Sequence, residues 1–211
     1  AKQFVEVAIS HANQSIQGDQ FDNATKILAA ADAVARRSKN NLLLSQIQKQ
    51  DLQIKEIAKE HAEMVKARAK LAEDEKDPAA NYTVGAYLSF RKGDWDKGLP
   101  MLALSNNAEF ADLAKKDATA PEDDKARIEL GDAWWNAGEK KSTQQKLAMQ
   151  WRAAHWYRLA LPTLTGLTQS RIAGRVKQID DQPAPFQVAT RMSVVNAWSA
   201  ERKNGCGGRP A

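Results

Sequence analysis

The sequence predicts an all-α fold, an array of antiparallel helical hairpins with one long helix over about 41–75. Three observations carry that prediction. Apolar residues recur at three- and four-residue spacing over most of residues 2–179. Gly and Pro cluster at intervals (Gly18, Pro78, Gly93, Pro121, Gly138) and cut the pattern into segments of helical length. Between Asn41 and Glu75 neither residue occurs.

Taken in order, Phe4, Val5, Ala8, Ile9, Ala12 and Ile16 form the first helical stripe. Gly18-Asp19 stops it, and Asp22 is placed to cap a second helix through Ala24, Ile27, Leu28, Ala31 and Val34. The long segment carries Leu43, Ile47, Ile54, Ala58, His61, Val65, Arg68 and Ala72 at near-heptad spacing, widened by Ile57, Met64 and Leu71 and interrupted by Asp51. It reads either as an amphipathic helix packed on the bundle or as an arm forming a homodimer. Asp77-Pro78 ends it, because proline restrains the residue before it and suits the first turn of a new helix.

Asn81 to Leu102 organises the middle of the chain: a helix, a Lys92-Gly93-Asp94 turn, and a second helix folded back. Gly85 allows a facing backbone to approach, while Trp95, Leu99 and Leu102 give the second helix its apolar face. A short helix over Asn107–Lys116 turns Phe110, Leu113 and Ala114 inward. Another begins around Pro121, with Glu122, Asp123 and Asp124 suiting its N-terminal dipole. A last amphipathic helix, 165–179, presents Leu167, Ile172, Val176 and Ile179.

Small residues at set spacings refine the class. Ala24, Leu28 and Ala31 have the spacing of a tetratricopeptide second helix, as do Ala153, Tyr157 and Ala160. Leu130-Gly131 with Trp134 matches the first-helix core. The intervals between units are irregular, and KKSTQQKLAM is longer than the standard unit allows. The expectation is therefore an irregular tetratricopeptide-like array forming a single helical domain over 1–180. Its parts are a first hairpin (1–38), a long helix (41–76), a central hairpin (78–118), and a C-terminal hairpin with final helix (121–180). Residues 181–211, with Pro183, Pro185, Gly205, Gly207 and Gly208, read as a poorly structured tail. Within it Val188–Trp198 suits one short helix or strand.

Composition narrows function. At 211 residues the chain can bury a core without disulfide or metal, in keeping with its single Cys206. The net charge of +5 is dispersed among acidic neighbours and forms no basic stripe, so nucleic acid is not the expected partner. No apolar run approaches the ~20 residues of a membrane span. The N-terminal residues lack an initiator Met and a signal-type hydrophobic region, as in a segment of a longer or processed chain.

Candidate chemistry is sparse. Trp134, Trp135, Trp151 and Trp156 fall within 23 residues and either fill gaps between helices or line a groove for a sugar ring, with Trp135 and Trp151 the stacking candidates. Asp94 with Asp96 and Asp123 with Asp124 have the positions of helix caps; glycosidase carboxylates instead face each other across a cleft. His11, His61 and His155 have no ligand-spaced partner, so no metal is expected, and His61 reads as a packing residue. There is no nucleophile elbow and no phosphate loop, and no cofactor is expected.

DPAANYTVGAYLSFRKGDWDKGLPMLA, LGDAWWNAGEK and RAAHWYRLALPTLTGL together resemble a helical region found in many large planctomycete proteins. The resemblance covers about residues 1–180 and is specific over 78–167; it departs at Ser105-Asn106-Asn107, and the residues after about 182 do not share it. It implies a periplasmic or extracellular module of a larger protein, beside lectin-like or hydrolase-like domains, with no catalytic residues of its own. Gly85, Gly93, Asp94, Trp95, Gly131, Trp134 and Tyr157 then serve structure. The function expected is a non-enzymatic interaction or scaffold module, binding a protein or peptide on the concave face of stacked hairpins. The alternative is a carbohydrate-associated accessory region of an exported hydrolase or lectin-like protein.

Overall fold

The computed structural model describes residues 1–182, and over them the chain is all-α, with nine α-helices and no strand. They are α1 (Lys2–Gln17), α2 (Phe21–Arg37), α3 (Asn41–Glu73), α4 (Pro78–Ala86), α5 (Trp95–Ala103), α6 (Ala108–Ala118), α7 (Asp124–Gly138), α8 (Thr143–Ala160) and α9 (Gly166–Asp180). The tail expected from 181, with the element at Val188–Trp198 and Cys206, lies outside the described residues beyond 182. The helices group into two compact units: residues 1–87 with 104–107, and residues 88–103 with those from 108 onward. The stretch read as one central hairpin is therefore divided between them.

In the first unit α1 and α2 form a hairpin that packs on α3, and α4 packs on α3 as well. The left-handed residue of the α1–α2 turn is Asp19 (φ 57°), not Gly18, whose φ is −88°. The core joins Val5, Ala12 and Ile16 of α1, Ala24, Leu28 and Ala31 of α2, and Leu43, Ile47, Ile54 and Ile57 of α3. Ala12, Ala24 and Ala31 are fully buried, so small side chains sit where the two axes approach. Phe4, expected in this stripe, is half exposed (49%); it stands about 100° around the helix from buried Val5. Asp22 does not cap α2. Gln20 occupies the cap position, and Asp22 lies in the first turn, where its charge still faces the helix dipole.

The seam of α3 differs from the expected one. Its buried residues are Leu43, Ile47, Gln50, Ile54, Ile57, Met64 and Ala67, steps of four and three that hold a 3.5-residue repeat. Beyond Ile54 the expected row drifts off this seam: Val65, Arg68 and Ala72 are exposed and Ala58 is half-buried. Asp51 does not interrupt the seam, because Gln50 fills it and donates its amide to Asn13 Oδ1 at 2.7 Å. Asn40 caps α3 by accepting from the Leu42 and Leu43 amides. His61 packs between Phe21 and Tyr87, ring centroids 5.3 and 5.7 Å away, and the Tyr87 hydroxyl donates to Asp19 at 2.8 Å. Asp77 caps α4 from beside Pro78, and buried Asn81 donates to the Glu75 and Asp77 carbonyls, closing the α3–α4 turn. Past α4 the helix widens into a π turn over Tyr87–Arg91, and Gly93 (φ 62°) turns the chain.

The second unit packs α5 on α6, α6 on α7, α7 on α8 and α8 on α9. An aromatic chain, Phe110–Phe90–Trp95–Trp134, runs through it with successive centroids 5.3 to 5.7 Å apart. α7 begins at Asp124, capped by Asp123 accepting from the Ala126 amide, three residues later than expected. The surplus segment KKSTQQKLAM is no long loop: α8 starts at Thr143, so most of it adds turns to that helix. On α9 Ile172, Val176 and Ile179 are inward, but Leu167 is 90% exposed. Five residues before Ile172, it lies about 140° around the helix from the buried stripe.

Candidate functional site

Two polar centres lie inside the second unit, each on one carboxylate. Asp117, in the last turn of α6, is buried and accepts from Trp134 Nε1 at 2.7 Å, Trp156 Nε1 at 3.0 Å and Arg152 Nε at 2.9 Å, with Arg152 Nη2 on its other oxygen. The Arg152 guanidinium also stacks on the Trp95 and Trp156 rings, 5.3 and 5.4 Å from their centroids. Burying a carboxylate is costly unless it is paired and hydrogen-bonded, and here four donors from two helices satisfy it. A carboxylate so enclosed has no side open to a substrate. It joins α6, α7 and α8.

Asp132 of α7 is the second centre. It accepts from the Tyr157 hydroxyl at 2.6 Å and from Arg171 at 2.9 and 3.1 Å, and it pairs with Arg175. Burial alone would raise its carboxyl, but the hydrogen bonds from Arg171 and Tyr157 and the charges of Arg171 and Arg175 hold it below the usual carboxylate range. Burial, then the bond to Asp132, pushes the Tyr157 hydroxyl up, so it stays a neutral donor. Arg175 donates to Tyr157 at 2.6 Å and covers the Trp135 ring at 4.9 Å. This centre fastens α9 to α7 and α8.

The residues singled out from the sequence divide accordingly. Trp134, Trp95 and Tyr157 are core, and Gly131 lies against the Tyr157 ring. Gly93 makes its turn, Asp94 accepts from the Lys97 amide at 3.3 Å at the start of α5, and Gly85 is buried in α4. Trp135 is only 7% exposed, under Arg175 and beside Tyr157. Trp151 is half-buried, with Arg158 over its ring at 5.4 Å; its Nε1 and Arg158 Nη1 are buried without a hydrogen-bond partner. The two stacking candidates are thus in separate settings. Asp117, Asp132, Arg152 and Arg175 were not singled out. Asp117 had a signal: it follows Phe110, Leu113 and Ala114 on the inward row of α6, where a charge requires a partner.

The first unit holds an open groove of about 590 Å³ between α1 and α2. One end is apolar, lined by Phe4, Val7, Ala8, Ile27 and Ala30; the other carries His11, Gln14, Gln20 and Asn23, with Asn23 donating to Ser15 at 3.0 Å. Phe4 and Val7 remain 49% and 50% exposed although Val5 beside them is fully buried. Among the described residues no group of His, Cys, Asp or Glu is arranged to hold a metal, and no helix is long and apolar enough to cross a membrane. No family model, curated protein or solved structure matches the chain.

The groove and the polar centres differ in what they offer. The centres spend their hydrogen-bonding capacity on the fold. The groove presents apolar side chains and the Gln14 and Gln20 amides to whatever enters it.

Proposed function

We propose that this chain is a non-enzymatic, tetratricopeptide-like interaction or scaffold module, part of a larger planctomycete-type protein in the cell envelope or outside it. The single observation that supports this reading most is the α1–α2 groove, in which Phe4 and Val7 are left half exposed on a helix whose opposite face is closed. An apolar trough between two helices is the receptor half of helix-in-groove recognition. Buried Asp117 and half-buried Asp132 also favour it, both being engaged by structural donors. The test is affinity capture with the full chain against Val7→Glu, paired with thermal melts. The expected result is an unchanged melting temperature within about 1 °C, as for a surface substitution, with loss of the captured partner. Identical capture by both proteins would sink the reading.

The carbohydrate-associated reading draws on one observation, the unpartnered Trp151 Nε1 beside the unpartnered Arg158 Nη1. Both donors are buried, so what a sugar would meet is the half-buried Trp151 ring itself, whereas Trp135 is covered. Oligosaccharide titration followed by tryptophan emission, with Trp151→Phe as control, tests it; no shift at millimolar sugar dismisses it.

A further inference from the structure

The groove has charge on one edge only. On α2 the row Asp22, Lys26, Ala30, Ala33, Arg37 runs at i, i+4, i+8, i+11, i+15 along the outer lip, with two cations to one acid, and Lys26 and Arg37 are exposed with no ion pair among the described residues. The neighbouring Arg36 is by contrast tied to Asp32 at 2.5 Å. On α1 the corresponding lip, Gln3, Val7, Ser10, Gln14, carries no charge. Between the lips lie Phe4, Ala8, His11 and Ile27.

From this asymmetry, and resting on the interaction-module reading above, we propose that the groove receives an amphipathic helix of a partner protein whose apolar row is flanked on one side by Asp or Glu. The apolar row seats between Phe4 and Val7 on one wall and Ile27 and Ala30 on the other. The acidic flank faces Lys26 and Arg37. These two cations are eleven residues apart on one helix, about 16 Å along its axis, so the partner carries its carboxylates about three turns apart. The walls span about ten residues of α1, which fits a partner helix of about three turns. A bilayer also attracts cations beside apolar groups, but it meets a convex face, whereas this surface is a trough with one neutral lip. A second copy would bring two cations, its own Lys26 and Arg37, to a lip that already carries Lys26 and Arg37 and only one acid, Asp22.

The test is fluorescence anisotropy with the full chain and three labelled 14-residue peptides. All share Leu at i, i+3, i+7 and i+10, and the flank carries Glu, Gln or Lys. The Glu peptide is expected to bind about tenfold more tightly than the Lys peptide at low salt, a difference that shrinks in 0.5 M NaCl. The double variant Lys26→Glu/Arg37→Glu, confined to exposed side chains, reverses the order. Val7→Glu removes binding of every peptide. Equal binding of the three peptides, still lost in Val7→Glu, overturns the acidic partner and leaves the interaction module standing. Binding indifferent to Val7→Glu defeats both. If no peptide binds, sedimentation and vesicle assays identify what displaced the proposal. A dimer broken by Val7→Glu assigns a second copy, and Val7-dependent binding to phosphatidylserine vesicles assigns a membrane. A melting temperature lowered by Val7→Glu assigns the chain's own residues 183–211. Each of these overturns it.

Discussion

Replacing Gly131 by Ala adds one methyl group where the second unit has no room for it. A Cβ on Gly131 would lie 2.5 Å from Tyr157 Cε1 and 2.8 Å from Cδ1. The ring cannot swing aside, because its face is buried and its hydroxyl is held between Asp132 and Arg175, each at 2.6 Å. Either α7 and α8 separate or the Asp132 centre opens. Overpacking of this kind costs about 3 kcal/mol at the upper end of its usual range, and the better helix propensity of alanine returns about 1 kcal/mol. The net loss is about 2 kcal/mol. In urea, with a slope of about 2 kcal/mol per molar, the midpoint falls by about 1 M. Tryptophan emission is the readout, since all five tryptophans of the described residues lie in the second unit. Gly174→Ala is the control: on α9, nothing lies within 4 Å of its Cβ, so it should stabilise by about 0.5–1 kcal/mol. A Gly131→Ala protein as stable as the parent refutes the close-approach reasoning. So does an equal loss in Gly174→Ala, which would show that glycine replacement in general, not contact with Tyr157, is responsible.

Two further substitutions probe the polar centres. Asp117→Asn keeps the shape but leaves Arg152, 14% exposed at its side chain, without a counter-charge; the expected loss is about 2–4 kcal/mol in the same urea assay, and a change below about 0.5 kcal/mol contradicts the role given to the carboxylate. Asp132 is an acid held below its ordinary range in the folded state. Its contribution is therefore complete above the unfolded value of about 4 and is lost as pH falls below that toward the folded value. The stability gap between the parent and Asp132→Asn should be constant from pH 7 to 5 and narrow as pH falls below about 4; a gap that does not narrow there rejects the assignment.

Helices were legible where one local rule decided them. The 3.6-residue pattern and the Gly and Pro breaks predicted α1, α2, α6 and α9 almost to their ends, because each has one buried face and a turn at its limits. Asp123 was legible as a cap for the same reason, and Asp77-Pro78 as the break between α3 and α4. What was not legible depended on partners far away in the chain. The buried row of α3 alternates steps of four and three because α1, α2 and α4 all lie along it, and its polar member Gln50 is explained only by Asn13, 37 residues earlier. The Asp117 centre gathers α6, α7 and α8 side chains, the furthest 39 residues away, so no spacing rule could have assembled it. The tryptophan cluster carried the alternative, carbohydrate-associated reading, and three of its members, Trp134, Trp135 and Trp156, are buried.

The burial of those residues bears on where function should be sought. Tryptophans and arginines attract attention in a sequence because they often carry binding energy. In the second unit Arg152 and Arg175 are spent on holding Trp95, Trp156, Trp135 and Tyr157 against two carboxylates. Removing any of them lowers stability before it touches recognition. In the first unit the corresponding devices are modest: alanines between α1 and α2, one amide pair, one tyrosine hydroxyl. Its groove is lined by Phe4, Val7 and Ile27, of which Phe4 and Ile27 read from the sequence as ordinary core. An apolar row wide enough for two neighbours but covered by one shows only when burial is compared across the row. Val5 and Ala12 are fully closed, while Phe4 and Val7 stay half open. The residues most worth substituting for function are thus the plain aliphatic and aromatic ones of α1, and the conspicuous ones of α7 and α8 are the controls for stability.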